Sequence, residues 1–159
     1  MGAIQGAINQ AAGAIAGAAI AVKHTKEQEF NEAVSAQDHA VVVQGQAQTA
    51  TDEANAAYNK AQEPGGLIEQ HSNAEVKKEY ADKAFEKAKN RKNASPVTVF
   101  ERMTAAQAAD KAFTKLKDEY DSVVGMMDRA TVMRRQAMQA TELAVKKNAR
   151  YKSRWGGRE

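Results

Sequence analysis

The chain contains no cysteine, which excludes a disulfide framework, a thiolate nucleophile and a cysteine metal site. It has two prolines in 159 residues, so long stretches carry no obligate helix breaker. Large apolar side chains are also scarce: valine, isoleucine, leucine and phenylalanine together number 24. Such scarcity signals disorder only when net charge is high, and here 23 Lys and Arg nearly balance 20 Asp and Glu. The gap is filled by 33 alanines, the strongest helix former. The composition therefore excludes an all-β or α/β domain. It predicts an all-α chain of about three elongated, Ala-rich helices with coiled-coil-like packing. A chain of this length ordinarily buries about two-thirds of its unfolded surface, which so few large apolar residues achieve only with partners, so an oligomeric assembly is expected.

Catalytic signatures are lacking too. His24, His39 and His71 occupy separate segments with no second histidine or carboxylate at metal-ligand spacing such as HExxH. Gly65-Gly66 is followed by Leu67-Ile68-Glu69 rather than Lys-Ser or Lys-Thr, so no phosphate-cradling loop forms there. Adjacent acids such as Asp118-Glu119 read as solvated charge on a helix face. No enzyme, metal, cofactor or small-molecule substrate is expected, and the methionines read as adaptable packing residues.

What is present begins at the N-terminus. Residues 1–22 carry no ionisable side chain, a length sufficient for a helix to cross a bilayer. Gln5, Asn9 and Gln10 interrupt the stretch, and no basic region precedes it as in a signal peptide. Residues 2–12 and 13–23 align with five identities in eleven, and eleven residues make three helical turns, so each repeated residue returns to one face. Ile4, Ile8, Ile15 and Val22 then form a stripe, with Gly2, Gly6, Gly13 and Gly17 on the opposite side. Glycine at Gly-xxx-Gly spacing lets a second helix backbone approach closely. Three readings remain open: a small-residue helix packed inside a soluble oligomer, a membrane-inserting helix, and a flexible low-complexity tail.

Residues 23–62 read as a long polar helix with Phe30, Val34 and Val41 at helical spacing and a weak point at Val41-Val42-Val43 before Gly45. A Pro-Gly-Gly turn is expected within 63–72. Ser72-Asn-Ala-Glu75 has the form of a capping box opening a short charged helix over 73–93. Pro96 suits the first position of a helix over 96–150. In that helix Phe113, Leu116, Tyr120, Val123, Met127 and Ala130 alternate spacings of three and four, a heptad seam. Beyond it the same positions become Arg134, Ala137 and Thr141, so the partner surface changes there.

From Arg134 onward eight basic residues face two acidic ones. The segment ending in the basic tail 151–159 mixes Lys146, Lys147, Arg150, Lys152, Arg154 and Arg158 with Tyr151 and the single tryptophan, Trp155. Phosphate attraction with aromatic stacking suits nucleic acid, and the same mixture suits an anionic surface. A basic helix end favoured by the helix dipole, with a frayed tail docked on a neighbouring subunit, is the competing explanation.

An uncharged Gly/Ala/Ile segment, a long Ala- and Gln-rich helix around Gln44-Gly-Gln-Ala-Gln-Thr-Ala-Thr and a charged helical remainder without enzyme motifs together resemble the small internal virion or DNA-ejection proteins of short-tailed bacteriophages. The resemblance lies in architecture and composition and carries over no individual residue. It implies a non-enzymatic structural component in the capsid interior or portal–tail region that forms a homo-oligomer with other virion proteins. It further implies a role in genome delivery through the host envelope, with DNA and the host membrane as partners. A helical adaptor of a larger complex and a bacterial pore-forming or translocator protein are the alternatives.

Overall fold

The computed structural model describes residues 2–156. Among them the secondary structure is three α-helices, α1 (Gly2–Gln62), α2 (Leu67–Lys89) and α3 (Pro96–Trp155), and no strand occurs. The uncharged stretch and the polar stretch that follows form one continuous α1, and Val41-Val42-Val43 and Gly45 lie inside it without a break. β-branching costs a helix only a fraction of a kcal/mol per residue, roughly 0.5, too little to interrupt so long an element.

The first turn depends on both of its glycines for different reasons. Gly65 has φ +73°, in the left-handed region, and a Cβ on Gly66 would fall 2.7–2.8 Å from the carbonyl oxygens of Lys60, Ala61 and Glu63. The Gly65 N–H donates to the Glu69 carboxylate at 2.7 Å, and the Gln70 side-chain amide donates to the Gly65 carbonyl at 2.7 Å. These contacts start α2 at Leu67, with extended Gly66 as its N-cap. Ser72–Glu75 is therefore helix interior, not a helix start: the turn already supplies the cap that the box would have provided.

α2 closes at Asn90, whose N–H donates to the Glu86 carbonyl at 3.1 Å while the Arg91 N–H donates to the Ala88 carbonyl at 3.4 Å, so the expected end at residue 93 lies in the turn. Asn93 adopts φ 62°, a conformation asparagine tolerates better than most residues. Pro96 opens α3, its fixed φ suiting the first helical position. α3 also runs past the expected end at residue 150, to Trp155.

The chain divides into two compact units. One joins α1 up to Ala47 with α3 from Met133, and the other comprises Gln48–Val132. In the first unit the two helices are antiparallel, as three cross-contacts show: Gln44 Nε2 donates to Thr141 Oγ1 at 2.6 Å, Phe30 and Tyr151 have ring centroids 5.4 Å apart, and Trp155 reaches Glu29. Among the described residues of this unit the buried ones are all alanine, with Ala33, Ala40 and Ala47 on α1 and Ala137 and Ala144 on α3, seven apart on each helix. The register of the cross-contacts sets Ala40 opposite Ala144 and Ala47 opposite Ala137. Phe30, Val34 and Val41, the apolar residues of α1 at helical spacing, stay largely exposed, although the Phe30 ring meets Tyr151 at the edge of the contact. Interaxial distance depends on the side chains at the contact, so the helices approach closest along the alanine line and leave bulkier neighbours at its margin.

The second unit contains the end of α1, α2 and the first part of α3. Its buried residues are Ala54, Ala61, Ala74, Ala106 and Ala130. Around them His71 of α2 lies 5.2 Å from the ring of Phe113 and stacks on Tyr120, also at 5.2 Å. Lys78 extends over Phe113 at 5.2 Å and pairs with Asp110 at 3.5 Å.

Candidate functional site

The N-terminal third of α1 is set apart by what it does not touch. Every residue from Gly2 to His24 is exposed, including Ile4 (71%), Ile8 (55%), Ile15 (71%) and Val22 (53%). A Cβ built on Gly2, Gly6, Gly13 or Gly17 would meet nothing within 4 Å. Neither face of the segment is packed against any other described part of the chain. Among the described residues no helix is long and apolar enough to cross a membrane, the membrane-inserting helix being one of the three readings open for residues 1–22. The polar Gln5, Asn9 and Gln10 and the abundance of alanine over leucine keep the stretch too polar despite its lack of charge.

The segment is in phase with the packed part of its own helix. Half-buried Glu29, Ala36 and Val43 recur every seven residues, and stepping back by sevens from Glu29 reaches Val22, Ile15 and Ile8. Stepping back from buried Ala33 passes through Lys26 to Ala19 and Ala12. The face that meets α3 thus continues as Ile8, Ala12, Ile15, Ala19 and Val22, beyond the point where α3 stops.

That point is fixed by Glu29. Its carboxylate accepts the Trp155 indole N–H at 2.6 Å and forms an ion pair with Arg154. With Tyr151 against Phe30, three members of the basic-aromatic cluster face α1, which is why residues 151–155 stay helical. Of the other cations in the cluster, Lys146, Arg150 and Lys152 are exposed and Lys147 is half-buried. Lys147 borders a groove shared with Glu27, Glu32 and His39. Arg158 lies outside the described residues.

The heptad seam of α3 lies within the second unit, where Phe113, Leu116, Tyr120, Val123 and Met127 are half-buried and Ala130 is buried. Beyond it Arg134 is exposed, while Met133, Ala137 and Ala140 turn inward.

Two features escaped the sequence reading. His71 is a packing residue between two rings, and no spacing in α2 foretells partners on α3. Lys83, Lys87, Arg91 and Arg102 line one groove with Tyr80 and Thr98, and no carboxylate is among its lining residues. The four-residue spacing of Lys83, Lys87 and Arg91 was visible as a stripe, whereas Arg102 joins only through the α2–α3 turn. No cluster of three histidines or carboxylates suited to a metal ion occurs among the described residues. No protein-family model, curated protein or solved structure matches the chain.

Proposed function

We propose that the protein is a non-enzymatic helical component of a short-tailed phage virion, internal or at the portal–tail axis, that works as a homo-oligomer in genome delivery. The observation that carries this reading is the fully exposed, uncharged segment from Gly2 to Val22 on a helix otherwise committed to packing. An ordered glycine costs a helix about 1 kcal/mol relative to alanine, and among the described residues nothing lies within 4 Å of where a Cβ on any of the four glycines would sit. Partners outside the chain account for that cost, with the isoleucine face meeting one helix and the glycine face admitting a close second neighbour. Exposed Lys146, Arg150 and Lys152 supply attraction to DNA phosphates.

The test is made on intact particles. Virions encoded by the genome that carries this chain are purified and analysed by mass spectrometry before and after triggered DNA release. The reading requires the chain in full particles and its depletion from emptied ones; its absence from full particles overturns it. A second reading, a helical adaptor that never enters a membrane, draws support from the lack of any described helix able to span one. Retention of the chain in emptied particles would favour it.

A further inference from the structure

The α1–α3 pair ends at Glu29 and Trp155, but the face of α1 that forms it runs on through Val22, Ala19, Ile15, Ala12 and Ile8. We propose that this prolonged face is covered by the same segment of a second copy, laid antiparallel in a two-fold symmetric pair. The proposal rests on the homo-oligomer part of the functional reading and is independent of the virion role.

Direction follows from continuity with the existing pair. α3 runs antiparallel to α1 and stops beside Glu29. A partner segment that begins there with its own N-terminus and runs towards Gly2 has the direction of α3 and prolongs its line. Two-fold symmetry makes the arrangement close on itself, since each copy's overhang begins where the other copy's α3 has ended. The segment from Gly2 to His24 is about 34 Å long at 1.5 Å per residue, and full overlap places the crossing near Gly13 and Ala14.

Side-chain volume favours the same direction. Antiparallel overlap about that crossing sets Ile8 against Ala19 and Ile15 against Ala12 in both copies. Each layer then holds one large and one small residue, the alternation that fills space between facing helices. A parallel, in-register pair would set isoleucine on isoleucine and alanine on alanine, giving crowded and empty layers in turn. Burial also costs no charge, because no ionisable side chain lies between Gly2 and Val22. The glycine face remains outside the pair.

The absence of cysteine makes the test clean. Full-length Ile8→Cys and Ala19→Cys chains are mixed and oxidised, and each is also oxidised alone. We expect a disulfide-linked dimer in the mixture and little from Ile8→Cys alone, whose two copies would sit about 16 Å apart along the antiparallel pair, beyond the roughly 7 Å reach of a disulfide. Efficient linkage of Ile8→Cys to itself overturns the arrangement. So does an absence of 8–19 linkage, and if light scattering then still shows an oligomer, only this geometry fails and the homo-oligomer reading stands. In a second comparison Ile8→Asp halves the mass seen by scattering, while Gln10→Asp, with the same charge on the side of the helix opposite Ile8, leaves it unchanged. Equal loss from both would show that charge, not the face, governs association, and would overturn the proposal.

Discussion

The indole N–H of Trp155 donates to the carboxylate of Glu29 across 126 residues of sequence, and Arg154 pairs with the same carboxylate. Glu29 is largely covered, its side chain 18% accessible, whereas Arg154 is 48% accessible. The exposed ion pair is screened by solvent and contributes little; the indole hydrogen bond to a covered charged acceptor is the stronger tie, about 1.5–3 kcal/mol.

Glu29→Ala should therefore free the end of α3. Amide hydrogen exchange at residues 151–155 is expected to accelerate at least tenfold with little change in the second unit. Arg154→Ala should produce a much smaller acceleration. Equal effects from the two would place the tie in the ion pair instead.

The alanine line sets a strict size limit. Ala40→Leu and Ala47→Leu each force side-chain bulk into the closest approach of α1 and α3, with an expected loss of about 1–3 kcal/mol in chemical denaturation. Val41→Ala, at a position 59% exposed, should change stability by less than about 0.5 kcal/mol. A larger loss from Val41→Ala than from Ala40→Leu would show that the bulky residues carry the contact.

Both turn glycines should resist substitution. Gly65→Ala places a Cβ in the left-handed region at a cost of about 1–2 kcal/mol. Gly66→Ala sets a Cβ against three carbonyl oxygens and should cost more, because the turn must open to admit it. Thermal denaturation of the two variants ranks these costs, and a Gly66→Ala midpoint equal to that of the parent would contradict the geometry.

Thr51 has a buried Oγ1 without a hydrogen-bond partner. Thr51→Val keeps the shape and removes the unsatisfied hydroxyl, so we expect a gain of about 1 kcal/mol in unfolding free energy. A loss of that size would mean that the hydroxyl is satisfied in solution.

DNA contact through the tail predicts a salt signature. Replacing Lys146, Arg150 and Lys152 with Gln should lower oligonucleotide retention and reduce the slope of log affinity against log salt by about 2–3. Replacing Lys83, Lys87 and Arg91 of the α2–α3 groove should have the smaller effect. The reverse order would move the contact to the groove.

The sequence by itself determined that the chain is helical. Thirty-three alanines and two prolines act through local backbone preference, which requires no knowledge of partners. The break at Pro64-Gly65-Gly66 was legible for the same reason, since positive φ at Gly65 is a local demand. The uncharged N-terminal stretch and its two faces also follow from composition and the 3.6-residue period. Tertiary structure decided which face is used. In an Ala-rich helix hydrophobicity hardly varies around the axis, so Phe30, Val34 and Val41 stood out in sequence, while Ala33, Ala40 and Ala47 form the contact because small side chains permit the closest approach. It also decided the start of α2, where the Gly65–Gln70 contacts displaced a plausible capping box, and the roles of Tyr151, Arg154 and Trp155. Their chemistry suits a phosphate or an aromatic partner equally well in sequence. Only the antiparallel register, which brings Phe30 and Glu29 alongside them, turns those side chains inward onto α1.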